Sequence, residues 1–352
     1  MLRTPRYMAK IDRHSMPKKI PASNRPLNSV LDGKVDIRNG GTFVNADLAA
    51  QHRAFLAAAT SDNTRRAYRS SVRHFLAWGG ALPCDETSII RYLLMYAASL
   101  NPRTLALRLT ALSQWHLSQG FSDPTSTSTV RKTLAGIARA HGKPKKKAKA
   151  LPVEDLERIS AHLASLDTLK SKRDNALLQV GFFGGYRRSE IVSLDVAHVA
   201  WETEGIVITL PRSKTDQQGE GIVKAIPFGD GLCCPATALR TWLDAAGIVS
   251  GPLFRSINKW NEIGAESLHA GSVNAILNTC AKMVELEYAP LLSSHSLRRG
   301  MATSAYRAGA DPRDIKRQGG WRHDGTVQGY IEEAGQFAEN AANALLRRKA
   351  KS

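Results

Sequence analysis

Gly184-Gly185-Tyr186-Arg187-Arg188-Ser189-Glu190 is the stretch on which the reading of this chain turns. It follows an apolar run over about Arg173–Phe183 that predicts a helix, and the glycine pair ends that helix. Arg187 therefore emerges near the start of the next helix, with Glu190 three residues on. Downstream, Ile206–Leu210 and Ile222–Phe228 are β-branched or apolar runs on either side of the polar segment Pro211–Gly221. They predict a hairpin with Arg212-Ser213-Lys214-Thr215 in its turn. Helices dominate after that, over about Pro235–Ala246, Ser272–Leu286, His295–Ala308 and Asp311–Gln318, the last stopped by Gly319-Gly320. Upstream, Pro152 suits the first position of a helix carrying Leu156, Ile159 and Leu163. Residues 151–352 thus predict one domain, mostly α with a small antiparallel sheet.

Four segments of this domain hold groups suited to a phosphodiester. Attack on phosphorus builds negative charge on the non-bridging oxygens, and two arginines can hold those oxygens through forked, charge-assisted hydrogen bonds. Arg187 is one candidate. The second lies in His295-Ser296-Leu297-Arg298-Arg299-Gly300, where His295 and Arg298 are three residues apart and share a helix face. Lys214, on the hairpin turn, can approach a leaving oxygen as general acid. Trp321, after Gly319-Gly320, offers an indole N–H and a large apolar body, and Tyr330 offers a phenol oxygen as nucleophile. Singly these are ordinary features: a solvated lysine, a packed histidine, a core tryptophan or tyrosine. The ordered set is what carries the reading.

That ordered set, Arg…Lys…His-x-x-Arg…Trp…Tyr, resembles the tyrosine recombinase (phage integrase) family. Gly185-Tyr186-Arg187-Arg188-Ser189-Glu190 looks like the family's G-L-R-x-S-E box, and His295-Ser296-Leu297-Arg298 like its H-x-L-R box. Gly320-Trp321 with Tyr330 is similar to its final box, in the variant with Trp at the His/Trp position seen in Cre-like members. Asn63-Thr64-Arg65-Arg66-Ala67-Tyr68 through Phe75 and Trp78 is similar to the start of the family's core-binding domain, so the resemblance spans about residues 47–346. It implies that Arg187 and Arg298 clamp the scissile phosphate, and that His295 bonds a phosphate oxygen and helps move the proton of Tyr330. It implies further that Lys214 protonates the departing 5′ oxygen, that Trp321 fills the His/Trp position, and that Glu190 holds Arg187 or His295. Two positions leave a choice, because Arg188 and Arg299 adjoin the clamp arginines; the box spacings favour Arg187 and Arg298. His323 is read as a loop residue outside the chemistry. No metal or other cofactor is implied, since the arginines take the place of a divalent ion.

The region before this domain predicts an all-helical bundle over about residues 47–142. Leu48, His52, Phe55, Leu56 and Ala59 recur at helical spacing, and a second helix, capped by Ser61 or Asn63, carries Tyr68, Val72, Phe75 and Leu76. A third helix is expected over about Thr87–Leu100, a fourth with Leu105, Leu109 and Leu112, and a fifth with Val130, Leu134, Ile137 and Ala138. The second also holds Arg65, Arg66, Arg69 and Arg73, a basic stripe with no acidic residue between its ends, suited to a phosphate backbone. Lys143, Lys145, Lys146, Lys147 and Lys149, with Pro144 among them, mark an exposed basic linker over 143–150. Residues 1–46 read as a loose basic arm, with nine Lys and Arg against three Asp in the first forty.

The balance of 49 Lys and Arg against 31 Asp and Glu, a net charge of +18, calls for a polyanionic partner. No run reaches the roughly 18 apolar residues of a membrane span, and the basic N-terminus has no apolar run behind it as a secretory signal would. Four cysteines without a C-x-x-C pair argue against a zinc site and for a reducing cytosol, where the resemblance implies a nucleoid-associated protein. The resemblance implies double-stranded DNA with a specific recombination site as partner, and cutting and rejoining through a 3′-phosphotyrosine and a Holliday junction as activity. A short amphipathic helix is predicted after Tyr330, with Phe337, Ala341, Ala344 and Leu345 on one face. The resemblance implies that it docks on a neighbouring protomer, in a homotetramer on two duplexes. The alternatives are a type IB topoisomerase-like relaxing enzyme and a non-catalytic DNA-binding protein derived from a recombinase.

Overall fold

The structure, a computed structural model, describes residues 46–144, 147–211, 221–231 and 233–346. The arm up to residue 45, Lys145, Lys146 and the hairpin tip with Lys214 lie outside the described residues. The chain divides into two compact units, Met1–Lys145 and Lys146–Ser352.

The first unit carries α1 (Ala46–Ala58), α2 (Asp62–Ala77), α3 (Glu86–Tyr96), α4 (Pro102–Ser118) and α5 (Ser128–His141). Side chains just ahead of α2 to α5 accept the orphan N–H groups of the first turns: Ser61, Asp85, Asn101 and Thr127. Ser61, not Asn63, caps α2, because Asn63 already lies inside the helix. The α3 helix stops at Tyr96 rather than Leu100. The chain must leave helical geometry before Asn101, which is extended ahead of Pro102. The buried cluster draws on α2 to α5 through Val72, Phe75, Ile89, Tyr92, Leu105, Leu112 and Val130. Leu48 and Phe55 of α1, expected as a core stripe, are instead exposed.

The second unit begins with α6 (Val153–Leu166), α7 (Leu169–Phe183) and the short α8 (Arg188–Val192). Three strands follow, β1 (Val199–Trp201), β2 (Gly205–Leu210) and β3 (Ile222–Pro227), then α9 (Pro235–Ala246). A two-stranded ribbon, β4 (Arg255–Ile257) and β5 (Ile263–Ser267), leads to α10 (Ser272–Met283), α11 (Ser294–Arg307), α12 (Pro312–Gly319), α13 (Asp324–Gly335) and α14 (Ala342–Leu346). Its core is built around α7, whose Ala176, Leu177, Leu178 and Val180 are fully buried. The three-stranded sheet is antiparallel in the order β1-β2-β3, with Ile206 opposite Ile226 and Ile208 opposite Lys224.

Three expectations need correction. Pro152 is the residue before α6 rather than its first member, since its ψ of 151° is extended. That approach is held by Leu151, whose N–H donates to Ser296 O at 3.1 Å. The ribbon β4–β5 was not expected: its turn contains Asn261 at positive φ, and only Ile257 and Ile263 of its strands are apolar pairs. The short helix predicted after Tyr330 occurs, as α14, but it begins too late to hold the whole expected face. Asn340 caps the short α14 by accepting from Ala342 N at 2.9 Å, so Phe337 falls outside it, and Phe337 and Leu345 are exposed.

Candidate active site

The glycine pair forms a turn that only glycine can make. Gly185 has φ +56°, and a Cβ there would stand 2.6 Å from Met301 Cε and 3.4 Å from Gly319 Cα. The turn therefore sits hard against α11 and the end of α12. Beyond it, Arg187 is the residue ahead of α8, and Glu190 reaches back to it twice. Glu190 Oε2 accepts from Arg187 N at 2.8 Å, and Oε1 accepts from Arg187 Nη1 at 2.5 Å. Glu190 is buried, so a charged pair is held in one geometry. Of the two neighbouring arginines, Arg187 is directed inward and Arg188 is exposed.

The α11 helix starts with a reciprocal cap between Ser293 and Ser296. Arg298, on its buried face, is 3% exposed. Its Nη1 donates to Gly185 O, its Nη2 is buried with no hydrogen-bond partner among the described residues, and its guanidinium lies 4.2 Å over the Trp321 ring. Burial, and then the positive charge of Arg187, push Arg298 down to about 10. Two guanidiniums that repel one another, one with a buried donor unused, make a site suited to an anion. Arg299 is employed differently: Nη2 pairs with Glu333 of α13, and the guanidinium is 5.4 Å from the Tyr330 ring. His295 lies in the first turn of α11 and is exposed.

Trp321 is buried at the end of the α12 turn, and its ring centroid is 5.4 Å from that of Tyr330. Tyr330 is half-buried on α13, a helix that begins at Asp324 after His323. Arg187, Glu190, Arg298, Trp321 and Tyr330 thus converge from the α7–α8 turn, α11, the α12 end and α13. Lys214 lies outside the described residues.

Two residues that the sequence reading passed over join this cluster. Lys224 of β3 is 2% exposed and donates to Gly184 O at 2.5 Å and Gln318 O at 2.7 Å. Burial first, then Arg298, lower its ammonium to about 7. Gln318 of α12 donates from Nε2 to Phe183 O at 2.8 Å and Ala225 O at 3.1 Å.

Comparison with known proteins gives the family of this chain. The phage integrase family matches residues 149–336, which contain every one of the converging side chains. An integrase/recombinase XerD homolog from Selenomonas ruminantium is 31% identical over 334 residues, 92% of this chain and 97% of its own. The chain belongs to the phage integrase family of tyrosine recombinases. Solved structures agree on the fold. XerH site-specific recombinase bound to palindromic difH has a TM-score of 0.60 at 16% identity, over 91% of this chain and 95% of its own. A lambda integrase tetramer bound to a Holliday junction has a TM-score of 0.53 at 15% identity, over 89% and 83%.

In this recombinase the α2 stripe is less free than its sequence implied. Asp62, one turn ahead, pairs with Arg65, whose hydrogen bond and then charge hold the Asp62 carboxyl below its usual range. Arg66 donates to Asn63 Oδ1 at 2.5 Å. Arg66 and Arg73 are exposed and Arg69 is half-buried. Lys143 and Lys147 are exposed. No helix among the described residues is long and apolar enough to cross a membrane.

Proposed function

We propose that this recombinase cuts and rejoins DNA at a specific site through Tyr330. The Tyr330 oxygen attacks the scissile phosphorus, the bond to the 5′ oxygen breaks, and a 3′-phosphotyrosine forms. Arg187 and Arg298 hold the non-bridging oxygens as charge builds on them. His295 bonds the same phosphate and shuttles the Tyr330 proton, Lys214 protonates the 5′ oxygen, and Trp321 buttresses the tyrosine. Glu190 keeps Arg187 aimed. Attack by a 5′ hydroxyl of the partner duplex reverses the step and exchanges strands through a Holliday junction. No metal or nucleotide is required in this scheme, because the phosphotyrosine conserves the broken bond.

The observation that carries the reading is Arg298: a buried guanidinium with one arm on Gly185 O and the other without a partner among the described residues, beside Trp321 and Tyr330. Residues 47–142 act as the core-binding domain and 151–352 as the catalytic domain, joined by the basic linker 143–150. Arg65, Arg66, Arg69, Arg73 and the lysines 143 and 145–147 contact the phosphate backbone. The active assembly is a homotetramer on two duplexes, in the cytoplasm, moving or resolving a mobile element or replicon. Of the relatives, the lambda integrase structure is itself a tetramer on a Holliday junction.

The test is covalent capture on a library of nicked duplexes with randomised sequence. The wild type is expected to give a protein–DNA adduct enriched for one sequence, and Tyr330→Phe to bind that sequence without forming an adduct. An adduct formed by Tyr330→Phe would overturn the nucleophile assignment. Relaxation of plasmids lacking the captured sequence would favour a topoisomerase-like activity instead.

A further inference from the structure

Lys224 stands out because nothing in the scheme above uses it. It occupies an inward position of β3, between Ile222 and Ile226, where the pattern of the strand asks for an apolar side chain. Lysine is almost never fully buried unless paired. Among the described residues no carboxylate pairs with it. Its partners are two backbone carbonyls from distant parts of the chain, Gly184 O and Gln318 O, and the face of Tyr186, whose ring centre is 4.7 Å from Nζ.

Those contacts belong to a larger arrangement. Phe183 O accepts from Gln318 of α12, Gly184 O from Lys224 of β3, and Gly185 O from Arg298 of α11. Three successive carbonyls are thus each held by a side chain from a different element. They are the last carbonyls of α7 and its turn, which lack helical partners and carry the negative end of the helix dipole. The same turn delivers Arg187 two residues later. Gln318 lies three residues before Trp321. Gln318 links the two turns from within one of them, and Lys224 does so from a third element, bonding a carbonyl of each.

We propose that Lys224 is a positioning residue for strand cleavage: it ties the turn that aims Arg187 and Arg298 to the turn that carries Trp321. This rests on the recombinase reading of the site. It gives Lys224 a duty separate from that of Lys214, which lies ten residues earlier in the hairpin. The charged groups around its ammonium are Arg298, Glu190 and Arg187.

The test uses the full-length protein and a nicked duplex bearing the sequence captured with the wild type, made in two forms. One has the ordinary 5′ oxygen at the cleaved bond. The other has sulfur there, which departs as a thiolate and needs no proton. Lys224→Met is expected to bind the duplex as the wild type does and to cleave about 100-fold more slowly, the scale of a displacement of about 1 Å. The defect should be of the same size on the sulfur substrate. Lys224→Arg, which can still donate to two carbonyls, should recover part of the rate. Wild-type cleavage by Lys224→Met would overturn the proposal. So would full rescue by sulfur, which would make Lys224 a proton donor. If Lys224→Met does not fold, Lys224→Gln is measured the same way, because its amide keeps donors. If the recombinase reading itself is wrong, the wild type gives no adduct with either substrate.

Discussion

Arg298 and Arg299 are neighbours in sequence, but the helix sends them to different tasks, one to Gly185 O and the other to Glu333. Arg187 and Arg188 divide likewise into an inward residue held by Glu190 and an exposed one. Arg187→Ala should therefore lower single-turnover cleavage by about 100- to 1,000-fold, the usual effect of removing one donor to a developing oxyanion. Arg188→Ala should cleave at nearly the wild-type rate; equal losses would contradict the geometry. Arg298→Lys keeps a charge but loses the fork, so it can serve Gly185 O or a phosphate but not both. It should cleave nearly as poorly as Arg298→Ala in the same assay. The Arg187–Glu190 pair was legible in the sequence as a three-residue offset, which the start of α8 turns into an ion pair. His295 and Arg298, also three apart, differ in burial, the first exposed and the second buried. Lys224 and Gln318 were not legible, since their partners are backbone carbonyls 40 and 94 residues from Lys224 and 135 from Gln318. The trace that could have revealed Lys224 is its parity with Ile222 and Ile226, which makes it a charge at a core position.

Elements were legible where one signal dominated. The hairpin strands were expected at 206–210 and 222–228 and occur at Gly205–Leu210 and Ile222–Pro227, since alternation and flanking polar residues agree there. The ribbon β4–β5 escaped because its strands are short and half-exposed, and α14 was misjudged because side-chain periodicity does not reveal a cap at Asn340. The α7–α8 turn is the element on which the site depends, and it can be tested against a turn of similar geometry elsewhere. Gly247 closes α9 with φ +61°, and a Cβ there would meet nothing within 4 Å. Gly247→Ala should cost about 1 kcal/mol, the conformational term alone. Gly185→Ala carries the same term plus the 2.6 Å approach to Met301. Met301 can yield at its Cε, so the thermal midpoint should fall about as much as in Gly247→Ala or somewhat further, but the cleavage rate should drop out of proportion to stability, because Arg187 moves with the turn. Equal effects of the two substitutions on both measurements would mean that the turn does not set the site.

At the scale of the whole molecule, the charge of +18 favours association with a polyanion such as DNA. Each cation that neutralises a phosphate adds about one to the slope of log affinity against log salt. Arg66, Arg69 and Arg73 replaced together by Ala should therefore flatten that slope by about three on duplexes of any sequence, as read by fluorescence anisotropy. An unchanged slope would remove α2 from the interface. The pH response isolates Lys224. Its folded ammonium is held near 7 against an ordinary value of 10.5. Between those values the unfolded chain binds more protons than the native one, so this group adds stability as pH rises, and below about 7 its burial penalty is constant. Burial raises the thiols of Cys84 to about 11 and Cys280 to about 12, which lowers stability as pH climbs past their ordinary value of 9. Those thiols are shared by wild type and Lys224→Met, so the difference between the two proteins cancels them. The unfolding free energy of the wild type relative to Lys224→Met should therefore increase steadily from pH 7 to 9 in denaturant titrations. A difference that stayed flat would mean that Lys224 keeps an ordinary affinity for its proton, and that its two carbonyls and the Tyr186 ring fully offset its burial.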